Sequence, residues 1–156
     1  MQIRVRGVNK KITSQELKYA AEWMSRLIMS SQLIKNIKVT ISFKGERGFL
    51  GSTEITDYDD QKPRRFLIQL DPKSSRNSTL KTLAHELVHV KQFARGEMVD
   101  LIRSPHVKWN KQYVDQDKLD YWDLPWEIEA FGREYGMYRR YTNHLKEADI
   151  WFNDDK

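Results

Sequence analysis

Cysteine is absent from this chain. Disulfides and thiolate-ligated metal sites are thereby excluded, so a bound metal has to rely on histidine and carboxylate. Histidine is scarce too, with four in 156 residues. No apolar run approaches the roughly 20 residues that a membrane-spanning helix needs. The opening MQIRVRGVNKK has basic residues but neither the apolar stretch nor the small-residue cleavage site of a secretory signal. The expectation is a cytoplasmic protein without a membrane partner. Repeats and low-complexity tracts are missing. Gly45, Gly48 and Gly51 lack the following Lys-Ser/Thr of a phosphate loop and read as a turn. No Ser-His-Asp or Cys-His arrangement can be assembled for nucleophilic catalysis.

What is present suits one domain. With 39% hydrophobic residues, residues 1–156 can bury one real core and are too few for two ordinary domains. The net charge of +5 is unevenly spread: residues 1–47 hold ten Lys/Arg against three Asp/Glu (+7), and residues 48–156 hold seventeen against nineteen (−2). The basic excess belongs to the first third. It is either a solvated surface or a face that meets nucleic acid or an acidic protein.

Periodicity predicts an α+β fold. Leu17, Ala20, Ala21, Met24, Leu27 and Ile28 recur at helical steps, so a helix capped by Thr13 or Ser14 should run to about Ser30 and cover a small mixed sheet. Ile37 to Phe43 alternates, Lys44 to Gly48 makes a turn, and Phe49 to Thr56 can return, which reads as a β-hairpin. A further strand, Arg65 to Asp71, is closed by Pro72. Ser78 can cap a helix to about Arg95, before Gly96. Residues 97–124 show no sustained period, and a connection of that length is expected to serve function. A last helix should start at Pro125 and reach about Leu145. Trp109, Trp122 and Trp126 could hold a peptide or stack on bases, but aromatics near a small core usually pack.

The helix from Ser78 carries the chemistry. Residues 83–92 read LAHELVHVKQ, in which His85, Glu86 and His89 form H-E-x-x-H. Leu80, Leu83, Ala84, Leu87, Val88 and Ala94 gather on one side as a core stripe, and the two histidines project from another. One turn apart, their imidazoles can donate to one zinc ion. Glu86 points some 100° away. It can reach a water on the metal as general base but is poorly placed to ligate beside both histidines. The plain alternative is a surface helix with two ordinary histidines.

A third ligand would decide between them. His106 comes seventeen residues after His89, without the glycine of the extended H-E-x-x-H-x-x-G-x-x-H pattern. In the last helix, Trp126, Ala130, Phe131, Met137, Tyr138 and Tyr141 define a broad apolar face centred near Glu127, which therefore faces inward. A carboxylate there needs a cation, although the helix dipole also favours one at an N-terminus. Glu129 falls on the side of Arg133 and Arg140, as an orienting partner for a histidine or as a solvated charge.

HELVH followed by DLPWEIEAFGRE resembles a compact zincin of the gluzincin type, similar to ImmA/IrrE-like domains and to small phage-encoded SprT-like metallopeptidases, over about residues 78–145. In gluzincins the third ligand is a glutamate on the following helix, often as E-x-x-A. Glu127-Ile128-Glu129-Ala130 matches that pattern, whereas SprT proteins proper use a third histidine. The resemblance implies a zincin-like fold with a helix and sheet ahead of the H-E-x-x-H helix. It implies a metal set of His85, His89 and Glu127, with Glu86 as the catalytic base of a zinc metallopeptidase. If phage-encoded, the protein would work in the host cytoplasm. The polypeptide substrate is expected to add to a sheet edge at Phe49 to Thr56 or Phe66 to Leu70, with Tyr135, Tyr138 or Arg133 as oxyanion donor. The alternative function is a non-catalytic, zinc-stabilised module that binds nucleic acid or a protein through its basic first third.

Overall fold

The computed structural model describes residues 1–44, 50–57, 62–101 and 104–152. The chain opens with a strand, β1 (Gln2–Arg6), too short for periodicity to announce. In α1 (Ser14–Ser25), the Thr13 hydroxyl accepts the Glu16 amide. The helix expected to reach Ser30 ends earlier. Leu27 and Ile28 close tight turns onto Met24 and Ser25, and Ser30, itself a capping residue, accepts the Leu33 amide to start α2 (Ser31–Asn36).

Strands β2 (Lys38–Phe43), β3 (Gly51–Ile55) and β4 (Arg65–Leu70) join β1 in a mixed sheet of order β1-β2-β4-β3. β1, β2 and β4 run parallel, and β3 is antiparallel to β4. The expected hairpin of residues 37–56 is therefore not formed, because β4 inserts between its two arms. Burial gives the reason. Phe66, Ile68 and Leu70 of β4 are buried with Leu67 and Gln69 half-buried, which suits a central strand, whereas Gly-Ser-Thr-Glu-Ile of β3 suits an edge. The turn expected at 44–48 lies outside the described residues except for Lys44.

Helix α3 (Arg76–Ala94) is capped by Ser75, whose hydroxyl accepts the Ser78 amide, so Ser78 receives the cap instead of providing it. Gly96 ends it at φ +68°. There the Gly96 amide donates to Phe93 and the Glu97 amide to Gln92, a Schellman stop that needs a left-handed residue. Almost every side chain from Thr79 to Ala94 is buried, because α3 lies between the sheet with α1 on one side and the last helix on the other.

Residues 97–124 are more regular than periodicity suggests. β5 (Met98–Asp100), β6 (His106–Trp109) and β7 (Gln112–Asp115) form an antiparallel meander. Its β6-β7 turn uses Asn110 and Lys111, both at positive φ, without the glycine that marks such turns in sequence. Short 3₁₀ turns at Gln116–Lys118 and Tyr121–Asp123 lead to α4 (Pro125–Glu147), with proline in the first turn as expected. The buried apolar residues form one cluster. Among the described residues, no helix is long and apolar enough to cross a membrane.

Candidate metal centre

α3 and α4 pack against each other, and three side chains meet between them. His85 and His89, one turn apart on α3, point their Nε2 atoms at each other across 3.1 Å. Glu127, in the first turn of α4, sets its Oε2 3.2 Å from His85 Nε2 and its Oε1 3.4 Å from His89 Nε2. All three residues are buried, and they form a group of the size that holds one metal ion. Bonds of about 2.0–2.1 Å at tetrahedral angles would separate ligand atoms by about 3.3–3.4 Å. The donor set fits zinc without large rearrangement.

The far side of each imidazole fixes its tautomer. His85 Nδ1 donates to Glu134 Oε2 at 2.9 Å, and His89 Nδ1 donates to Gln92 Oε1 at 2.8 Å. Gln92 is oriented in turn, since its amide nitrogen donates to the Trp126 carbonyl and to Glu129, each at 3.0 Å. With both Nδ1 atoms engaged, both Nε2 lone pairs are left for the ion. Phe131 closes on the His85 ring, edge to face at 4.5 Å.

The electrostatics match a site built for a cation. Burial works against a charged His85, but Glu127 and Glu134 outweigh it and raise its pKa to about 9. Burial also works to raise the Glu127 pKa, yet His85, His89 and the Tyr121 hydroxyl hold it well below the carboxylate range.

Glu86 stands apart from this group. Its Oε2 accepts the Thr53 hydroxyl at 2.7 Å, the same hydroxyl lying 3.2 Å from its backbone carbonyl. Burial raises its pKa, against the lowering pull of His89 and Thr53. β3 can come this close to α3 because residue 51 is glycine: a Cβ there would sit 2.5 Å from the Thr82 methyl and 3.0 Å from Glu86 Oε1. A cleft of about 240 Å³ opens over these groups, lined by Gly51, Thr53, Glu86, Tyr121 and Trp126 together with the three converging side chains.

The other sequence candidates lie elsewhere. His106 is on β6, bonded to the Ser104 hydroxyl and 3.9 Å from Asp115. Glu129 binds Lys91, Arg133 and Gln92, so it reaches His89 only through Gln92. None of the expected oxyanion donors lines the cleft: Arg133 pairs with Glu129, Tyr135 is exposed, and Tyr138 lies under the Lys81 ammonium. The hydroxyl that does is Tyr121, donating to Glu127 Oε2 at 2.8 Å. Residues 97–124 gave no signal for it. Glu134 was also missed, although it lies seven residues after Glu127, two turns along the same face of α4. Comparison with protein-family models, curated proteins and solved structures finds no match for this chain.

Proposed function

We propose that the chain is a zinc-dependent peptidase, with His85, His89 and Glu127 holding the metal and Glu86 acting as general base. The observation that carries this reading is the division of labour between two buried glutamates. Glu127 joins the imidazoles, while Glu86, next to His85 in sequence, is held by Thr53 at the wall of the same cleft.

When bound, zinc supplies Lewis-acid polarisation and an acidified water. The chain's own groups do the rest. Glu86 takes a proton from the attacking water as oxygen bonds to the scissile carbonyl carbon, then delivers it to the departing amine nitrogen as the C–N bond breaks. Its raised pKa suits a group that must both accept and return a proton. The Tyr121 pKa is raised by burial and by Glu127, so its hydroxyl stays protonated and can donate to the carbonyl oxygen. Of the two edges expected for the substrate, Phe66 to Leu70 is excluded because β4 is internal. β3 is the edge strand, and its Gly51 to Thr53 line the cleft, so an extended polypeptide added there would run past Glu86.

Glu86→Gln separates this enzyme from a protein that uses zinc only as a staple. The variant should keep its zinc and fold and lose peptide hydrolysis by two orders of magnitude or more. The measurement is mass spectrometry of an unfolded protein mixture digested by wild type and variant side by side, with a chelator control. Products of equal yield from both proteins would refute the role of Glu86, and none from either would refute the peptidase.

A further inference from the structure

The mixed sheet has two faces, and among the described residues α1 and α3 cover one of them. Val39, Ile41, Phe66 and Ile68 point into the core. On the opposite face β1 presents Gln2, Arg4 and Arg6, β2 presents Lys38, Thr40 and Ser42, and β4 presents Arg65, Leu67 and Gln69. The register sets Gln2, Lys38 and Arg65 in one row and Arg4, Thr40 and Leu67 in the next. Arg4, Arg6, Lys38 and Arg65 are exposed, and among the described residues none of their side chains makes an ion pair or hydrogen bond. The one acid among the described strand residues of this face is Glu54, on the far edge strand. Several cations elsewhere are paired, among them Arg26 with Glu22, Arg76 with Glu16, and Lys91 with Glu97 and Glu129.

Such clustering has a cost. Lys38 and Arg65 are direct cross-strand neighbours, and like charges so placed destabilise a sheet. A bound polyanion would reverse that sign. A concavity of about 580 Å³ is lined by Gln2, Arg4, Lys38, Thr40 and Arg65 of this face and by Lys18 of α1.

We propose that this open face binds the phosphate backbone of duplex nucleic acid. Thr40, Ser42, Gln2 and Gln69 interleave hydroxyl and amide donors with the cations, the mixture that contacts phosphate oxygens. No aromatic side chain stands at these strand positions, so there is no platform on which the bases of a single strand could stack. Leu67 is the one apolar side chain among the outward residues named above and is half-buried, so these positions offer no apolar wedge to insert into lipid. The face lies across the sheet from α3, and duplex binding leaves the metal cleft open. The inference therefore stands whether or not the cleft hydrolyses peptides.

The test is fluorescence anisotropy of the full chain with a labelled duplex of about 20 base pairs over a salt series, where three to four neutralised phosphates give a slope of log K against log salt near −3. Arg4→Gln/Lys38→Gln/Arg65→Gln should weaken binding at about 50 mM salt at least tenfold and flatten that slope by about 2–3. A control with the same charge loss at exposed sites elsewhere, Lys10→Gln/Lys35→Gln/Lys146→Gln, should change affinity by less than about threefold. Both triples alter only exposed side chains, so thermal midpoints no lower than that of wild type should rule out misfolding. Equal losses in the two triples, no duplex binding by wild type, or a preference for single strands or for anionic vesicles would each overturn the proposal.

Discussion

Two imidazole nitrogens 3.1 Å apart repel unless a cation or a proton lies between them, and Glu134 and Gln92 leave the rings no freedom to turn away. The competition between proton and metal gives a pH prediction with a definite sign. The His85 pKa of about 9 in the metal-free chain lies above its ordinary value of 6.5. Its contribution to stability is therefore fully present below the unfolded value and is lost as pH rises through about 9. Zinc needs the neutral ring, so zinc affinity moves the opposite way, rising about tenfold per pH unit towards 9 and then levelling off. Competition with a chromophoric chelator across this range measures the slope. A profile already flat below pH 8 would mean that His85 is neutral and that Glu134 and Glu127 do not hold its proton. Glu134→Gln should shift the levelling point to lower pH.

At the scale of elements, β3 and α3 are joined so closely that a single methyl group matters. Gly51→Ala would press a Cβ against the Thr82 methyl at 2.5 Å, a contact between backbone-anchored groups that overpacks by about 1–3 kcal/mol. Thr82→Ser removes that methyl, so the double variant should recover most of the loss. Urea midpoints for the two single variants and the pair give the coupling, and strictly additive effects would show that β3 does not lean on α3 there. The same packing explains what the sequence made legible. His85, Glu86 and His89 follow from helical spacing alone, and Glu127 follows from the apolar face around it, because a helix converts sequence spacing into direction. Strand order has no such local rule. The run from Ile37 to Thr56 looks like a hairpin until β4, which begins nine residues further on, takes the central place by virtue of Phe66, Ile68 and Leu70. Tyr121 was illegible for a related reason, since it reaches Glu127 from a 3₁₀ turn that carries no apolar period.

Across the whole molecule, the candidate metal centre is where two helices of the fold meet. His85 and His89 sit on the central helix and Glu127 opens the outer one, so an ion bound to all three would resist their separation on unfolding. If zinc binds the native state and has little affinity for the unfolded chain, free zinc at a thousand times its dissociation constant adds about 4 kcal/mol. For a chain of this size each kcal/mol moves the midpoint by about 2–4 °C, which places the expected rise between about 8 and 16 °C. The measurement is a set of melting curves at buffered free-zinc concentrations, in which the midpoint should climb with the logarithm of zinc. Glu127→Gln should lose most of that dependence. Glu86→Gln should keep it, because Glu86 is held by Thr53 outside the ligand group. This pair of variants distinguishes a lost ligand from general damage to a buried carboxylate, since both remove one charge from the same cleft. A midpoint indifferent to zinc in wild type would refute the metal centre, and loss of the zinc response in Glu86→Gln would move Glu86 from base to ligand.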